Sequence, residues 1–342
     1  MALANREELF KLIDHFCTID QIKTLLRSAE GNADVRLSAA TKKDLIESNL
    51  ADALNSHALP IERAYDLVRD AEENGNQHVF YYVVSKKLAS NVTFGAVGTK
   101  LFGAGWESRV KFPSFRLAEN KYLYSDFRQW SPDKKPSDWL LKIYGQLQFE
   151  RPTGVVQHES NRKILREFEI EDKRIVLVVR WNAPDLLEIR VPTDTSKKRV
   201  SGSLSMAWHM IEGVLREDQA VAWDLTSARG RMLKDGKKNA SIYRARDTRV
   251  RNDYNTYTIE ANNVSGTLFD SEDDVETLRR TLDKKGECTQ LSILWLEQKD
   301  GRPSRDIRTI MGAARVNELI IPAHCGPPDA EYVTERLRQF SR

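Results

Sequence analysis

Apolar residues recur at helical spacing in the first 75 residues of the chain. They fall three or four positions apart within segments 9–16, 19–26, 45–54 and 61–71. Thr18 followed by Gln21 fits a capping box, and Pro60 stands where a helix can begin. The pattern predicts four short amphipathic helices that share a small core.

The pattern changes at His78, where "HVFYYVVSKK" is rich in β-branched and aromatic residues and predicts a strand. The unbroken apolar run 175–179 predicts a central strand buried on both faces. In the next apolar segment Glu188 and Arg190 alternate with apolar residues, which predicts a half-exposed neighbour. Further strands are predicted at 141–149, 164–170, 174–181, 186–191, 241–248, 254–261, 290–297 and 314–321, and helices at 203–217, 272–285 and 329–340.

The fold class predicted from these elements is α+β, a small N-terminal helical bundle followed by mixed α/β sheet domains. Three segments are predicted: an acidic helical domain at 1–78, an aromatic-rich basic β/loop region at 79–136, and an α+β domain at 137–342. The last segment can divide near residue 235. Pro132 and Pro136 mark the boundary that precedes it.

Composition indicates a folded protein in a reducing compartment. The 342 residues are 40% hydrophobic and 30% charged, as in globular proteins. No apolar run approaches the roughly 18 residues that span a bilayer, so no membrane contact is expected. Three widely spaced cysteines argue against a disulfide framework. We therefore expect an intracellular protein of the cytoplasm and nucleoid, or of the nucleus.

The net charge of +3 is unevenly distributed along the chain. Residues 1–80 hold nine basic and fourteen acidic residues, net −5. Residues 81–136 have a net charge of +6 and residues 228–251 of +7. Such clustering can attract polyanions. The alternative is that basic and acidic blocks face each other inside the fold.

The two basic blocks also carry aromatic residues, which favours contact with nucleic acid. On the strand predicted at 241–248, Arg244 and Arg246 share one face. In a regular strand the odd-numbered Arg249 and Arg251 would lie on the opposite face. A bulge near Asp247–Thr248 would align all four, and the alternative is a solvated edge strand. The candidate binding residues are Lys111, Arg116, Lys121, Arg128, Arg229, Arg231, Lys234, Lys237, Lys238, Arg244, Arg246, Arg249, Arg251 and Tyr254.

No complete catalytic motif is present. Glu297 and Lys299 form a Glu-x-Lys pattern with Asp270 upstream, as in some metal-dependent nucleases. The glycines of "GAVGTK" do not fit a phosphate-binding loop and are expected to serve turns. The six histidines show no zinc-ligand spacing. No cofactor and no metal site are predicted.

Residues 40–87 resemble a known family. "TKKDLIESNLADALNSHALPIERAYDLV" followed by "GNQHVFYYVVSKK" is similar to the N-terminal helical region of the centromere protein N/Chl4 family. That family binds DNA and nucleosomes with a basic groove between its two domains. The resemblance implies a similar groove here, built from the basic blocks 81–136 and 228–251.

The predicted function is non-enzymatic binding of nucleic acid, with DNA preferred, within a larger assembly. Two alternatives remain open from the sequence. The protein can be an adaptor subunit that docks a protein partner through its acidic residues 1–78, or a divergent metal-dependent nuclease.

Overall fold

A computed structural model describes residues 6–29, 36–111, 121–131, 135–160, 163–193, 197–261, 266–283, 286–312 and 314–342. The fold is α+β, as predicted: N-terminal helices precede an 11-stranded sheet whose neighbouring strands are antiparallel. None of the helices in the described ranges is long and apolar enough to cross a membrane.

The N-terminal helices form a core of their own around Leu9, Ile13 and Ile22. Thr18 makes the predicted capping box with Gln21. The third predicted helix is continuous but has a π-helical middle, which spacing alone does not signal. The bounds are α1 (Arg6–Phe16), α2 (Ile19–Arg27), α3 (Lys42–Asp44), the π-helical Leu45–Leu50, α4 (Ala51–Asn55) and α5 (Ile61–Glu73).

The sheet runs in the order β2-β3-β4-β5-β1-β11-β10-β9-β7-β8, and β6 pairs with β1 off this path. Its strands are β1 (Gly75–Val84), β2 (Leu123–Ser131), β3 (Lys135–Ser160), β4 (Lys163–Asn182), β5 (Leu186–Pro192), β6 (Ala220–Ala222), β7 (Tyr243–Arg251), β8 (Thr256–Glu260), β9 (Glu287–Trp295), β10 (Ile307–Met311) and β11 (Glu318–His324).

Helix α5 leads directly into β1, a strand near the middle of the sheet. Gly75 makes the transition at φ 83°, and a Cβ there would lie 2.3 Å from the Ala323 carbonyl oxygen. Only glycine tolerates both constraints. The boundaries predicted at 78/79 and 136/137 fall inside β1 and β3, so strands from all three predicted segments share one sheet.

Helices cover the two faces of the sheet unequally. We call the face that carries Val79 and Tyr81 the inner face, and the face that carries Phe80 and Tyr82 the outer face. The helices α6 (Lys86–Ala89), α7 (Phe94–Phe102), α8 (Trp106–Arg109) and α9 (Lys197–Ile211) cover the outer face from β2 to β5. The helices α10 (Thr226–Lys234), α11 (Glu272–Asp283) and α12 (Pro327–Ser341) cover the inner face, where α1 also packs against β3 and β4.

Segment 94–102 differs from the prediction of glycine turns, because it forms the helix α7. Gly98 lies in it against the Trp106 ring, and a Cβ at that glycine would come within 2.1 Å of the indole. The glycine therefore allows close packing of α7 on α8, and a loop is not needed to explain it.

Two strand predictions also need correction. Segments 164–170 and 174–181 are one strand, β4, and β10 was not predicted. Residues 175–179 are buried on both faces, as predicted. Glu188 and Arg190 of β5 are not half-exposed but fully buried, with 0% and 1% exposure. The alternation of charged and apolar residues predicted that the charged side chains of β5 are exposed. A single sequence does not show that these charges have buried partners of opposite sign.

A layer of buried charges joins α5 to the inner face of the sheet. The Lys142 ammonium on β3 lies 2.9 Å from a carboxylate oxygen of Glu72 and 2.9 Å from one of Glu73. Arg128 of β2 donates to Glu73 over 2.6 Å. We name this set the ion-pair layer, and its members are Glu72, Glu73, Asp126, Arg128, Lys142, Arg174, Glu188 and Arg190.

The remaining strands contribute to the same layer. Arg190 of β5 donates to the Glu188 carboxylate over 2.6 Å and to the Glu73 carbonyl over 2.8 Å. Burial raises the pKa of Glu73, but the charges of Lys142 and Arg128 outweigh it and hold that pKa below its ordinary value. Acidic residues of the helical module and basic residues of the sheet therefore face each other within the fold.

Replacing Glu73 by Gln is expected to lower the free energy of unfolding by about 3–5 kcal/mol at pH 7, because the buried cations Lys142 and Arg128 each lose one of their two counter-charges. Urea denaturation followed by circular dichroism measures the change. The exposed variant Glu7→Gln, which breaks a surface pair with Lys11, is the control and should leave the midpoint unchanged.

The difference between wild type and Glu73→Gln depends on pH with a definite sign. A carboxyl group whose pKa is lowered by folding stabilises the protein fully above its unfolded pKa of about 4.3, and that contribution is lost as the pH falls through the folded pKa. The gap in unfolding free energy should therefore shrink below about pH 4. A gap that widened in acid would contradict the assignment.

Candidate nucleic-acid interface

Strand β7 carries a bulge at Arg246. Ala245 pairs with Ile293 of β9, and Asp247 pairs with the adjacent Ser292, so Arg246 is the extra residue. The bulge changes the parity of the strand: Tyr243 and Ala245 are buried before it, Thr248 and Val250 after it. Arg244, Arg249 and Arg251 consequently share the outer face, whereas the Arg246 side chain donates to the Gly266 carbonyl.

The outer face around β7 forms an open surface. Helices α10, α11 and α12 adjoin these strands but bury their apolar residues on the inner face. We call the outer side of β11, β10, β9, β7 and β8 the open face. Along β7, Arg249 and Arg251 are exposed there, and neither forms an ion pair with another described residue.

Neighbouring strands add further charges to the open face. Arg308 of β10 donates to Asp247 over 2.7 Å, so its charge is partly neutralised. Arg315, before β11, lies above the Phe80 ring at 5.7 Å. The acidic residues on this face are Asp247, Glu260 of β8, Glu287 of β9 and the buried Glu318 of β11. The open face is therefore basic in excess but not uniformly so.

A cavity of about 280 Å³ lies where α9 borders the open face. Val200 and Ser201 of α9 form its wall, and Arg249, Gln290 and Arg315 line the sheet side. The Arg315 guanidinium lies 3.4 Å from the Ser201 hydroxyl oxygen, which connects wall and floor. The cavity combines hydrogen-bond donors with positive charge, a combination that suits an anionic group.

His78 and Glu318 form a fixed pair in the floor of this cavity. The His78 Nδ1 atom lies 2.6 Å from a Glu318 carboxylate oxygen, and the backbone N–H groups of Ala314 and Arg315 donate to the other oxygen. Burial raises the pKa of Glu318, but the hydrogen bonds lower it by more than burial raises it. The pKa of this carboxyl group therefore lies below its ordinary value. The carboxylate is thus internally satisfied.

The other basic residues predicted between 228 and 238 lie away from the open face. Arg229 is buried, and its guanidinium donates to the Cys288 carbonyl and the Thr226 hydroxyl. It also fills the space beside Gly312, where a Cβ would come within 2.6 Å of it. Arg231, Lys234, Lys237 and Lys238 are exposed in and after α10, which packs on the inner face.

The first basic block is distant from the second. Lys111 and Lys121 are exposed near α8 and β2, and Arg116 lies outside the described residues. Arg128 belongs to the ion-pair layer. Since β2 and β7 are eight positions apart in the strand order, the blocks are separated by about 38 Å along the sheet. They do not meet on neighbouring strands, as a shared groove would require.

The candidate nuclease residues show no metal-binding arrangement. Within the described ranges, no group of three or more His, Cys, Asp or Glu side chains could hold a metal ion. Asp270 accepts a hydrogen bond from the Thr267 backbone N–H. Glu297 and Lys299 are exposed beyond the end of β9, where the Glu297 backbone N–H donates to Asp306.

Comparisons with protein-family models, curated proteins and solved structures gave no match. The resemblance of residues 40–87 to the centromere protein N/Chl4 family stays a prediction.

Four residues of the open face were not among the predicted ones: His78, Gln290, Arg308 and Arg315. Arg308 lies on β10, whose alternation of buried Ile307, Thr309 and Met311 could have identified the strand. The others join the face through long-range strand pairing, for which a single sequence carries no signal.

Two arginines predicted to bind nucleic acid should differ in their effect on stability. Arg128→Met removes one of the two cations that contact Glu73 and one of the two that contact Asp126, and it is expected to cost about 3–5 kcal/mol of unfolding free energy. Arg249→Met alters an exposed side chain and should cost about 0.5 kcal/mol or less. Urea denaturation of both variants tests the assignment, and equal losses would contradict it.

Proposed function

We propose that the protein binds nucleic acid through the open face. The observation that carries the proposal is the alignment produced by the β7 bulge. It places Arg249 and Arg251 beside Arg244 on an uncovered sheet surface, and Arg308 on β10 and Arg315 before β11 add charge to the same surface. The same residues in a regular strand would have been divided between the covered and uncovered faces.

Phosphate groups fit this surface chemically. Guanidinium groups donate paired hydrogen bonds to phosphate oxygens and remain charged at any cellular pH. Arg249 and Arg251 are two residues apart on one strand and so about 6.8 Å apart. At this spacing each guanidinium group can contact a separate phosphate of the nucleic-acid backbone.

An aromatic side chain extends the surface at the β7–β8 turn. Tyr254 is 90% exposed there, three residues after Arg251. An exposed ring next to a basic strand can stack on an unpaired base. The surface therefore suits single-stranded as well as duplex nucleic acid.

The expected affinity is modest, because acidic residues share the open face. Asp247 pairs with Arg308, so Arg249, Arg251 and Arg315 are the cations best placed to contact phosphates. The logarithm of the binding constant should then fall with the logarithm of salt concentration with a slope of about −3 on duplex DNA.

The double variant Arg249→Ala/Arg251→Ala is expected to reduce the magnitude of this slope by about two, because two phosphate contacts are lost. Fluorescence anisotropy with labelled duplex DNA, single-stranded DNA and RNA, measured across a salt series, gives the slope for each.

A matched control removes the same charge from the other side of the sheet. Arg231→Ala/Lys234→Ala alters two exposed cations of α10 and should leave affinity and slope unchanged. Absence of micromolar binding at about 50 mM salt would refute the proposal. Equal losses in both double variants would indicate binding driven by total charge alone.

The proposal further includes a non-enzymatic role within a larger intracellular assembly, with DNA as the preferred nucleic acid. The excess of acidic over basic residues in the helical module supports an assembly role, because exposed acidic helices can dock a basic protein. Deleting residues 1–78 would not test this, since the cut removes four residues of β1. Charge reversal on the exposed faces of α1 and α2 is the appropriate test, with binding to partner subunits as the readout.

A further inference from the structure

Strands β3 and β4 extend far beyond the rest of the sheet. They remain paired from Gln148 and Asp172 to Ser160 and Lys163, whereas β2 reaches only Tyr144 of β3 and β5 reaches only Val178 of β4. We call this two-stranded segment, residues 148–160 and 163–172, the arm. Ten residues of β4 give it a length of about 34 Å.

All side chains described in the arm are exposed, in contrast to the buried residues 175–179 at its base. Its even-numbered β4 residues lie on the same face of the sheet as the buried Val176 and Val178. That face carries Phe168 at 48% exposure and Ile170 at 66%. Exposed apolar residues of the arm that share it are Val156, Ile164, Phe168 and Ile170, together with Pro152.

The opposite face of the arm is mainly charged. Glu167 and Glu169 lie there, with Leu165 nearer the tip. Residues 148–172 contain four basic and six acidic residues, a net charge of −2. This charge disfavours a polyanion as the occupant of the arm. A contiguous apolar face on a two-stranded ribbon, which is marginally stable in water by itself, indicates a protein surface that covers it.

The charges on the apolar face complement a second copy of the same face. Pro152 pairs with Phe168 near its centre. Glu150, paired with Ile170, lies one row toward the base, and Arg166, paired with Val156, lies one row toward the tip. A two-fold axis that crosses the strands at Phe168, midway between two stacked faces, exchanges the row toward the base of one arm with the row toward the tip of the other. Arg166 of one copy therefore lies at the same position along the arm as Glu150 of the other copy.

We propose that two copies of the protein dimerise by stacking the apolar faces of their arms, antiparallel, with Phe168 next to the two-fold axis. Such an isologous interface closes on itself. The stacked sheets would lie about 10 Å apart. The acidic faces, which carry Glu167 and Glu169, point outward to water on both sides.

The contact is small. Some ten residues per arm bury about 700 Å² in total at the density of ordinary interfaces, which lies below the standard size and is typical of a weak, reversible contact. Sedimentation velocity of the full chain between about 1 and 100 µM should show a concentration-dependent dimer. A protein that stays monomeric throughout this range would overturn the proposal.

Variants of the arm locate the interface. Phe168→Glu should weaken dimerisation at least tenfold, because it places two carboxylates next to each other at the two-fold axis in the stacked apolar face. Glu169→Lys lies on the opposite face of the same strand and should not weaken it. Both positions are exposed, so circular dichroism should show unchanged folding. An equal effect of the two variants, or no effect of Phe168→Glu, would contradict the proposal.

Charge exchange distinguishes a second copy from any other partner. Glu150→Arg and Arg166→Glu should each weaken the dimer, and the double variant should restore the affinity to within about threefold of wild type, because the charge pair is re-formed in reverse. Failure of the double variant to recover would refute the antiparallel register.

Chemical cross-linking supplies an independent measurement. Phe168→Cys should be joined to its counterpart by a bis-maleimide that spans about 10 Å, whereas Glu169→Cys should not. The native Cys17, Cys288 and Cys325 are buried, so background reaction is small. Cross-linking of Glu169→Cys but not of Phe168→Cys would show that the other face forms the contact.

Discussion

The ion-pair layer is the interaction on which the arrangement of this protein depends. Two adjacent carboxylates at the end of α5, Glu72 and Glu73, meet cations from β2, β3 and β4 and lie beside the Glu188–Arg190 pair of β5. Removing these charges from water is costly, and the cost is offset only when every partner is in place. One helix end therefore fixes the relative positions of four strands, a specificity that an apolar contact would not provide.

The two halves of the sheet differ in how the helices cover them. From β2 to β5, helices lie on both faces, and charges within the sheet are paired and buried. From β11 to β8, helices cover only the inner face, and the outer arginines meet solvent. Basic residues of similar sequence context thus serve opposite purposes: Arg128 completes the buried layer, whereas Arg249 lies on a surface open to a ligand. Position in the strand order, rather than local charge density, separates the two roles.

Much of the fold could be predicted from periodicity, since amphipathic helices such as α2 and a buried strand such as 175–179 leave strong patterns. For β7 the sequence left two possibilities, a bulge near Asp247–Thr248 that aligns four arginines or an edge strand with arginines on both faces. The structure has the bulge at Arg246, so only the other three arginines share a face, and this position depends on the pairing with β9. The burial of Glu188, Arg190 and Arg128 could not be predicted, because their partners come from distant segments. Likewise, the alternation of apolar and charged residues in the arm resembles that of an ordinary sheet strand. That the arm projects from the sheet is visible only from the positions at which β2 and β5 end.

The direct passage from α5 into β1 has a consequence for how the protein folds. β1 lies near the middle of the sheet, and its two principal neighbours are β5 and β11; the His78–Glu318 contact joins residues 240 positions apart. Contacts of such separation form late, since a long loop must close before they contribute. During synthesis the helical module can therefore be complete while the strand attached to it still lacks both neighbours. Until β11 emerges from the ribosome, β1 presents at least one unpaired edge, and this interval is when the chain is most exposed to aggregation.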